Sequence, residues 1–190
     1  NTALLIEEAG AKVVAVSDVN GGIHNPKGMH VGRVGSYLKE KGTLKGFPGA
    51  ANVTNEELLV LDCDILIPAA MEGVLHAGNA SQVKAKLVIE AANGPTVTEA
   101  DEIFAKRGIP VVPDILANAG GVTVSYFEWV QNIQQFAWQK TEVNEELERT
   151  LVKAYAAVSG LSKERKVSLR LAAFMLAIQR VARAVELRGI

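Results

Sequence analysis

The sequence predicts an α/β fold with a parallel sheet, because short apolar runs alternate with longer stretches of helical periodicity. Four runs rich in valine and isoleucine lack the polar alternation of a half-exposed strand, as expected for strands buried on both faces. They cover residues 12–18, 64–68, 87–91 and 109–113. Strands that alternate with helices favour a parallel sheet with helices on both faces.

Helix start and stop signals separate the first strand from the second and the third strand from the fourth. Thr54, followed three residues later by Glu57, forms a capping box that opens a short helix through Leu61. Thr98 opens a second helix, and Gly108 is placed to end it as a C-cap. The alternation of strand and helix therefore continues as far as the fourth strand.

After Asp114 the strand pattern ends and two helical stripes follow. The first begins after the predicted N-cap Thr141 and the second covers the C-terminus. Their apolar members are Val143, Leu147, Leu151, Tyr155 and Val158, then Leu171, Phe174, Met175, Ile178, Val181, Ala182 and Val185. The pattern predicts a helical hairpin joined around residues 160–167, and a division of the chain into a nucleotide-binding domain, 1–139, and C-terminal helices, 140–190.

The N-terminus is unusual for a complete parallel α/β domain. The chain begins inside a helix that Gly10 ends, whereas such a domain starts with a strand and a turn before its first helix. That turn would carry the glycines that bind phosphate. We therefore expect a fragment with a Rossmann-like parallel sheet that lacks its first strand and glycine loop.

Charge and cysteine content exclude several classes of protein. Twenty Lys and Arg against 21 Asp and Glu give a net charge of −1, which argues against electrostatic binding to nucleic acid or to an anionic membrane. Cys63 is the single cysteine, so an intramolecular disulfide and a multi-cysteine zinc site are excluded. No apolar run is long enough to span a bilayer. We expect a cytoplasmic protein.

Asp18 is the first candidate binding residue. It ends the first strand, where an acidic residue in a dinucleotide-binding βαβ unit accepts hydrogen bonds from the ribose hydroxyls of adenosine. The alternative is an aspartate that opens the turn through Asn20 and Gly21. Both interpretations stay open at this point.

Small and amide residues follow two further strands. Ala69 and Ala70 follow the second strand, and Asn93 follows the third. Ligands of open parallel sheets bind beyond the carboxyl ends of the strands, which suits these residues. Ordinary turn chemistry explains Asn93-Gly94-Pro95 equally well.

The segment after the fourth strand is the most unusual in the chain. It contains Asn118 and the paired glycines Gly120 and Gly121, and it is followed by half of the aromatic residues in the chain. Paired glycines allow close approach of a ligand, and the Asn118 amide could meet a carboxamide or a carboxylate. The aromatics themselves are expected to pack in the core. Neither Cys63 nor the three histidines have the spacing of a metal site, so none is predicted.

Taken in order, these segments resemble the glutamate dehydrogenase type within the family of glutamate, leucine, phenylalanine and valine dehydrogenases. The resemblance covers essentially the whole chain. It is carried by VVAVSD at 13–18, GGI at 21–23, GFPGA at 46–50, DCDILIPAA at 62–70, ANGP at 92–95 and DILANAGGVTVSYFEWVQN at 114–132. The last of these is the most specific. Only the nucleotide-binding domain and the helical C-terminus of the family are matched.

The resemblance implies a role for each candidate residue. Oxidative deamination of L-glutamate to 2-oxoglutarate and ammonia is expected, with NAD as cofactor, NADP possible, and a homohexameric parent enzyme. Asp18, Ala69, Ala70, Asn93 and Asn118 would contact the cofactor. Asn118, Gly121, Val122 and Ser125 would contact the amino acid, with Ser125 reading its side-chain carboxylate.

The catalytic residues of the family lie in a substrate domain that this sequence does not match, so no residue here inherits them. We therefore expect the chain alone to be inactive. Two alternatives remain open: a nucleotide-binding module without chemistry, and a related dehydrogenase whose base lies on this chain.

Overall fold

The computed structural model describes residues 1–189 and contains two compact units. Residues 1–63 with 82–85 form the first unit, and residues 64–81 with those from 86 onward form the second. Each unit has its own three-stranded sheet, antiparallel in the first and parallel in the second. The division at residue 139 stays a prediction about function.

The first unit is built on an antiparallel sheet in the order β1-β2-β3. Its elements are α1 (Thr2–Glu8), β1 (Ala15–Asp18), β2 (Gly21–His24), α2 (Val31–Lys41), β3 (Ala51–Val53) and α3 (Asn55–Leu59). Its core comprises Ile23, Met29, Val34, Leu44 and Phe47. The capping box of Thr54 is confirmed, although the helix ends two residues before Leu61. The sequence patterns did not predict α2, β2 or β3.

The first strand differs from the prediction. It pairs antiparallel with β2 instead of joining the parallel sheet, and its residues are half-buried or exposed instead of buried on both faces. The physical reason is local: a two-residue turn, Val19-Asn20, folds the chain straight back. Gly21 takes a φ of +120° there, which favours glycine.

The second unit contains the predicted parallel sheet. Strands β4 (Ile65–Leu66), β5 (Leu87–Ile89) and β6 (Val111–Val112) pair in that order, with β5 at the centre. Helix α4 (Thr98–Arg107) connects β5 to β6 and buries Ala100 and Phe104 completely. Gly108 ends it with a φ of +69°, which confirms the predicted C-cap.

Four helices follow the sheet and include the predicted hairpin. They are α5 (Asp114–Ala117), α6 (Gly120–Gln134), α7 (Lys140–Arg165) and α8 (Leu169–Arg188). The turn of the hairpin lies at Lys166, with Gly160 inside α7, and the N-cap of α7 is Gln139 instead of Thr141. A core of Leu116, Val158, Ala172 and Ala173 joins α5, α7 and α8.

Much of the stripe on α8 is exposed, including Phe174, Ile178 and Val181. In the described part of the chain, no helix is both long and apolar enough to cross a bilayer.

Candidate functional site

The predicted residues of the second unit lie at one edge of the parallel sheet, after the carboxyl ends of its three strands. Ala69 and Ala70 follow β4, Asn93 follows β5, and Asn118 ends the short helix that follows β6. Because parallel strands point the same way, the loops at their carboxyl ends share that edge. The alanines and Asn93 are exposed and Asn118 is half-buried, which leaves this edge accessible.

Backbone hydrogen bonds join the loops after β4 and β5. The amides of Ala91 and Ala92 both donate to the carbonyl of Pro68, at 3.0 and 2.9 Å. The two alanines after Pro68 are thereby fixed relative to the segment that carries Asn93. Their side chains add no polar atoms and little bulk to this edge.

The closest contact between the predicted residues joins the two asparagines. Asn118 donates from Nδ2 to Oδ1 of Asn93 at 2.7 Å. The backbone amide of Asn118 donates to the carbonyl of Asp114 at 3.0 Å, which holds it at the end of α5. Within residues 1–189, the Nδ2 group of Asn93 and Oδ1 of Asn118 have no further hydrogen bond. The pair therefore offers one free amide donor and one free carbonyl acceptor to a ligand.

Glu90, Asp114 and Arg170 are linked by hydrogen bonds to the backbone that carries this pair, and no sequence motif predicted a role for them. Arg170 donates to both carboxylate oxygens of Glu90, at 3.0 and 2.7 Å. Burial alone would lower the pKa of Arg170, but its hydrogen bonds to Glu90 and Asp101, together with their negative charges, raise it above its usual value. A glutamate at the end of an apolar strand was the one available signal, and nothing in the sequence connects it to an arginine 80 residues away.

Helix α6 carries the predicted substrate residues. It begins at Gly120, so Gly121, Val122 and Ser125 share a helical face, while Asn118 lies before the helix. Val122 is 71% exposed. The Ser125 hydroxyl donates to the carbonyl of Gly121 at 3.1 Å, so binding a carboxylate would require it to exchange that bond.

The aromatic residues of this region follow the core prediction only in part. Phe127 is buried and lies 5.5 Å from Trp138 between ring centroids. Tyr126, Trp129 and Phe136 are more than half exposed, so the prediction that they pack in the core is wrong. An apolar stripe cannot by itself indicate whether the chain supplies a partner for it.

Asp18 lies in the first unit, at the edge of an open cleft of about 400 Å³. One of its carboxylate oxygens accepts the amide of Asn20 at 2.7 Å, and its carbonyl accepts the side chain of Asn55 at 3.1 Å. Asp18 therefore opens the turn, but this does not exclude a contact with ribose. The turn leaves the second carboxylate oxygen available to a ligand, and the cleft also contains the cation Lys45.

No cluster of three or more His, Cys, Asp or Glu side chains suited to a metal ion occurs within residues 1–189. Cys63 is half-buried, and the three histidines are distributed over β2, the start of α2 and the loop after β4.

The chain is similar to glutamate dehydrogenases in both sequence and structure. It is 57% identical to a glutamate dehydrogenase of Thermotoga maritima over 187 residues, 98% of this chain and 45% of that protein. A hetero-hexameric glutamate dehydrogenase of Thermus thermophilus, solved in a leucine-bound form, matches 99% of this chain and 44% of its own with a TM-score of 0.92 and 36% identity. That of Peptoniphilus asaccharolyticus matches with a TM-score of 0.82 and 37% identity, over 99% and 44% of the two chains.

This chain thus spans less than half the length of these relatives. The model of the glutamate, leucine, phenylalanine and valine dehydrogenase family matches residues 1–189. On that match over nearly its whole length, the chain belongs to the glutamate/leucine/phenylalanine/valine dehydrogenase family.

Proposed function

We propose that the chain is the cofactor-binding part of an NAD(P)-dependent glutamate dehydrogenase, which deaminates L-glutamate oxidatively to 2-oxoglutarate and ammonia. Family membership and the 57% identical relative support the reaction class. The observation that carries the proposal is the pairing of Asn93 with Asn118 at the carboxyl edge of the parallel sheet. This is the edge at which open α/β sheets bind nucleotides.

The donor set at this edge fits a nicotinamide nucleotide. The pair has a free amide donor on Asn93 and a free carbonyl acceptor on Asn118, which complement a carboxamide and ribose hydroxyls. Ala69 and Ala70 present only methyl groups, so a flat ring can approach the backbone there. When bound, the nicotinamide supplies the acceptor for a hydride. The role of these residues is to orient it.

We propose that Asp18 binds the ribose hydroxyls of adenosine and favours NAD over NADP. Its carboxylate would repel the additional 2′-phosphate of NADP because like charges at close range repel each other. Lys45, which lines the same cleft, counteracts this repulsion, so NADP remains a possible cofactor.

We propose that Asn118, Gly121, Val122 and Ser125 form one wall of the amino-acid site. The helical face of α6 combines a gap at Gly121, an apolar contact at Val122 and a hydroxyl at Ser125. These match the stem and the side-chain carboxylate of glutamate. No proton-transfer role is assigned to any of these residues, because the catalytic groups expected for the family belong to a substrate domain that the sequence does not match.

The proposed assembly is a homohexamer in the cytoplasm. Exposed apolar side chains on α6 and α8 are suited to burial against further protein. Trp129, Ile133 and Phe136 on or just after α6 are each more than half exposed, as are Ile178 and Val181 on α8. Such patches on one chain are typical of protein contact surfaces.

The test is the reduction of NAD and NADP by the full-length protein with L-glutamate. We expect glutamate-dependent reduction, no turnover by residues 1–190 alone, and a faster reaction with glutamate than with leucine, valine or phenylalanine. Asn118→Ala should raise the KM for the cofactor at least several-fold. Asn132→Ala, which removes an exposed amide from the same helical region, is the matched control and should change little.

Two results would contradict the proposal. The first is full-length protein without glutamate-dependent reduction of either cofactor. The second is an equal rise in the KM for the cofactor in Asn118→Ala and Asn132→Ala, which would mean that Asn118 does not contact the cofactor. Turnover by residues 1–190 alone would instead place the catalytic base on this chain.

A further inference from the structure

Glu90 is the only fully buried charged side chain in the described part of the chain. It comes directly after β5, the central strand of the parallel sheet, with an exposed fraction of 0%. Removing a carboxylate from water is costly unless it gains hydrogen bonds and an opposite charge. The contacts of Glu90 therefore indicate why a charge is kept at this position.

Arg170, at the start of α8, supplies that opposite charge. Its guanidinium donates from Nη1 to Oε2 of Glu90 at 3.0 Å and from Nη2 to Oε1 at 2.7 Å, a two-bonded geometry that fixes orientation as well as distance. Arg170 also donates to the carboxylate of Asp101 on α4, and its Nη1 lies 3.6 Å from Oδ1 of Asp114. The arginine thus lies among three carboxylates, and only Glu90 is fully buried.

Glu90 connects Arg170 to the loops of the candidate site. Its Oε2 also accepts the backbone amide of Asp114 at 2.8 Å. Asp114 in turn accepts the amide of Gly94 through Oδ2 at 2.8 Å. Gly94 is the neighbour of Asn93, and Asp114 lies one helical turn before Asn118, whose amide bonds to its carbonyl. One chain of hydrogen bonds therefore leads from Arg170 to the segments that carry both asparagines.

We propose that Arg170, acting through Glu90, is a positioning residue that sets the spacing of Asn93 and Asn118 and hence the affinity for the nicotinamide end of the cofactor. The proposal rests on the cofactor-binding function proposed above. Asp101 has a different role: it bonds to Arg170, and within residues 1–189 it has no hydrogen bond to the segments that carry Asn93 and Asn118, so it holds α8 to α4. The cluster thus contains both a positioning carboxylate and a purely structural one.

The two carboxylates form a matched pair for the experiment. Glu90→Gln and Asp101→Asn each remove one negative charge facing Arg170 without changing side-chain size. Glu90→Gln places an NH₂ group against the guanidinium and disturbs the link to Asp114, whereas Asp101→Asn leaves that link intact. Arg170→Lys keeps the charge but cannot reproduce the two-bonded geometry, and it serves as a second test if Glu90→Gln prevents folding.

The readout is the affinity of the full-length protein for NADH and for ADP-ribose, which lacks the nicotinamide. We expect Glu90→Gln and Arg170→Lys to weaken NADH binding about tenfold while ADP-ribose binding changes less than twofold. Asp101→Asn should lower the thermal stability but leave the ratio of the two affinities unchanged. A general loss of structure would weaken both ligands alike, so the ratio separates positioning from stability.

Crystal structures of the same variants make the inference independent of the proposed function. We expect the distance from Asn93 Oδ1 to Asn118 Nδ2 to exceed hydrogen-bonding range in Glu90→Gln and to stay near 2.7 Å in Asp101→Asn. Wild-type protein that binds neither ligand would overturn the proposed function but not the positioning role. An unchanged asparagine pair in Glu90→Gln, or an equal change in the affinity ratio for both carboxylate variants, would overturn the positioning role.

Discussion

The carboxyl edge of the parallel sheet and the hairpin around Asp18 both present candidate cofactor residues, but they are held in different ways. At the sheet edge, the supporting hydrogen bonds connect residues 20 to 80 positions apart. At the hairpin, the carboxylate of Asp18 bonds to a residue only two positions away. The first arrangement depends on the tertiary fold, whereas the second is already specified by a turn.

This difference determines how much each region tolerates substitution. A side chain held by a local turn keeps its place when distant residues change, because the turn itself supplies the partner. A side chain held by a buried ion pair loses its place when the partner of the buried charge is removed, since that charge cannot be solvated. We therefore expect large effects on stability at the sheet edge and modest, cofactor-specific effects at the hairpin.

The largest effect is expected for Arg170→Met. The variant leaves Glu90 buried without its cation, which costs about 3–5 kcal/mol when a buried pair is broken. For a chain of this size, that corresponds to a fall in Tm of roughly 6–20 °C. Calorimetry or chemical denaturation of the variant measures it.

Arg183→Met is the matched control on the same helix. Arg183 pairs with Glu186 at 3.1 Å, but both side chains are about two-thirds exposed. Its loss should change the free energy of unfolding by no more than about 0.5 kcal/mol. If the two variants were equally stable, the ionic network would not support the sheet edge and the contrast between the two regions would fail.

The second effect concerns Ser125 and is expected in catalysis more than in stability. Ser125→Ala in the full-length enzyme removes the hydroxyl proposed to bind the side-chain carboxylate of glutamate. A hydrogen bond to a charged group contributes about 1.5–3 kcal/mol, so kcat/KM for glutamate should fall roughly 10- to 150-fold. The loss with leucine should be much smaller, because leucine offers no carboxylate at that position.

Thr123→Val is the control for this prediction. The Thr123 hydroxyl donates to the carbonyl of Ala119 at 2.8 Å, the same type of contact that Ser125 makes with Gly121. Equal losses of kcat/KM in both variants, or equal losses on glutamate and leucine, would show that Ser125 acts only on the helix backbone.

The third effect tests the hairpin through cofactor choice. Asp18→Ser should reduce the preference for NAD over NADP about tenfold by removing the charge that opposes the 2′-phosphate, and Lys45→Ala should change the preference in the opposite direction. Because Asp18 is held by a local turn, we expect the stability of Asp18→Ser to change little. The ratio of kcat/KM for the two cofactors is the measurement. If this ratio were unchanged in Asp18→Ser, Asp18 would not bind the ribose.

Sequence patterns predicted those features that depend on neighbouring residues. The capping box at Thr54, the C-cap at Gly108 and the helical hairpin all follow from signals within a few positions. The sequence also predicted that Ala69, Ala70 and Asn93 lie at one edge of the sheet, because parallel strands place their carboxyl ends together.

Features that depend on distant partners were not predictable in the same way. One local feature was also missed: the run at 12–18 has the composition of a buried strand, and the turn at Val19-Asn20 that pairs it antiparallel with β2 was not predicted as a hairpin. The pairing of Glu90 with Arg170 joins residues 80 positions apart, and no periodic pattern in the sequence indicates it. The exposed stripe on α8 shows the same limit, since an apolar face indicates burial without identifying its partner.

The smallest effect is expected for Thr54→Ala, which tests a purely local contact beside the hairpin. The Thr54 hydroxyl accepts the amide of Glu57 at 3.1 Å, and the Glu57 carboxylate accepts the amide of Thr54 at 2.8 Å. Loss of an N-cap costs about 1 kcal/mol, or roughly 2–4 °C in Tm. Thr54→Ser keeps the hydroxyl and should retain most of the stability. If Thr54→Ala destabilised the chain as much as Arg170→Met, local caps and long-range ion pairs would contribute equally, and the distinction between the two regions would be wrong.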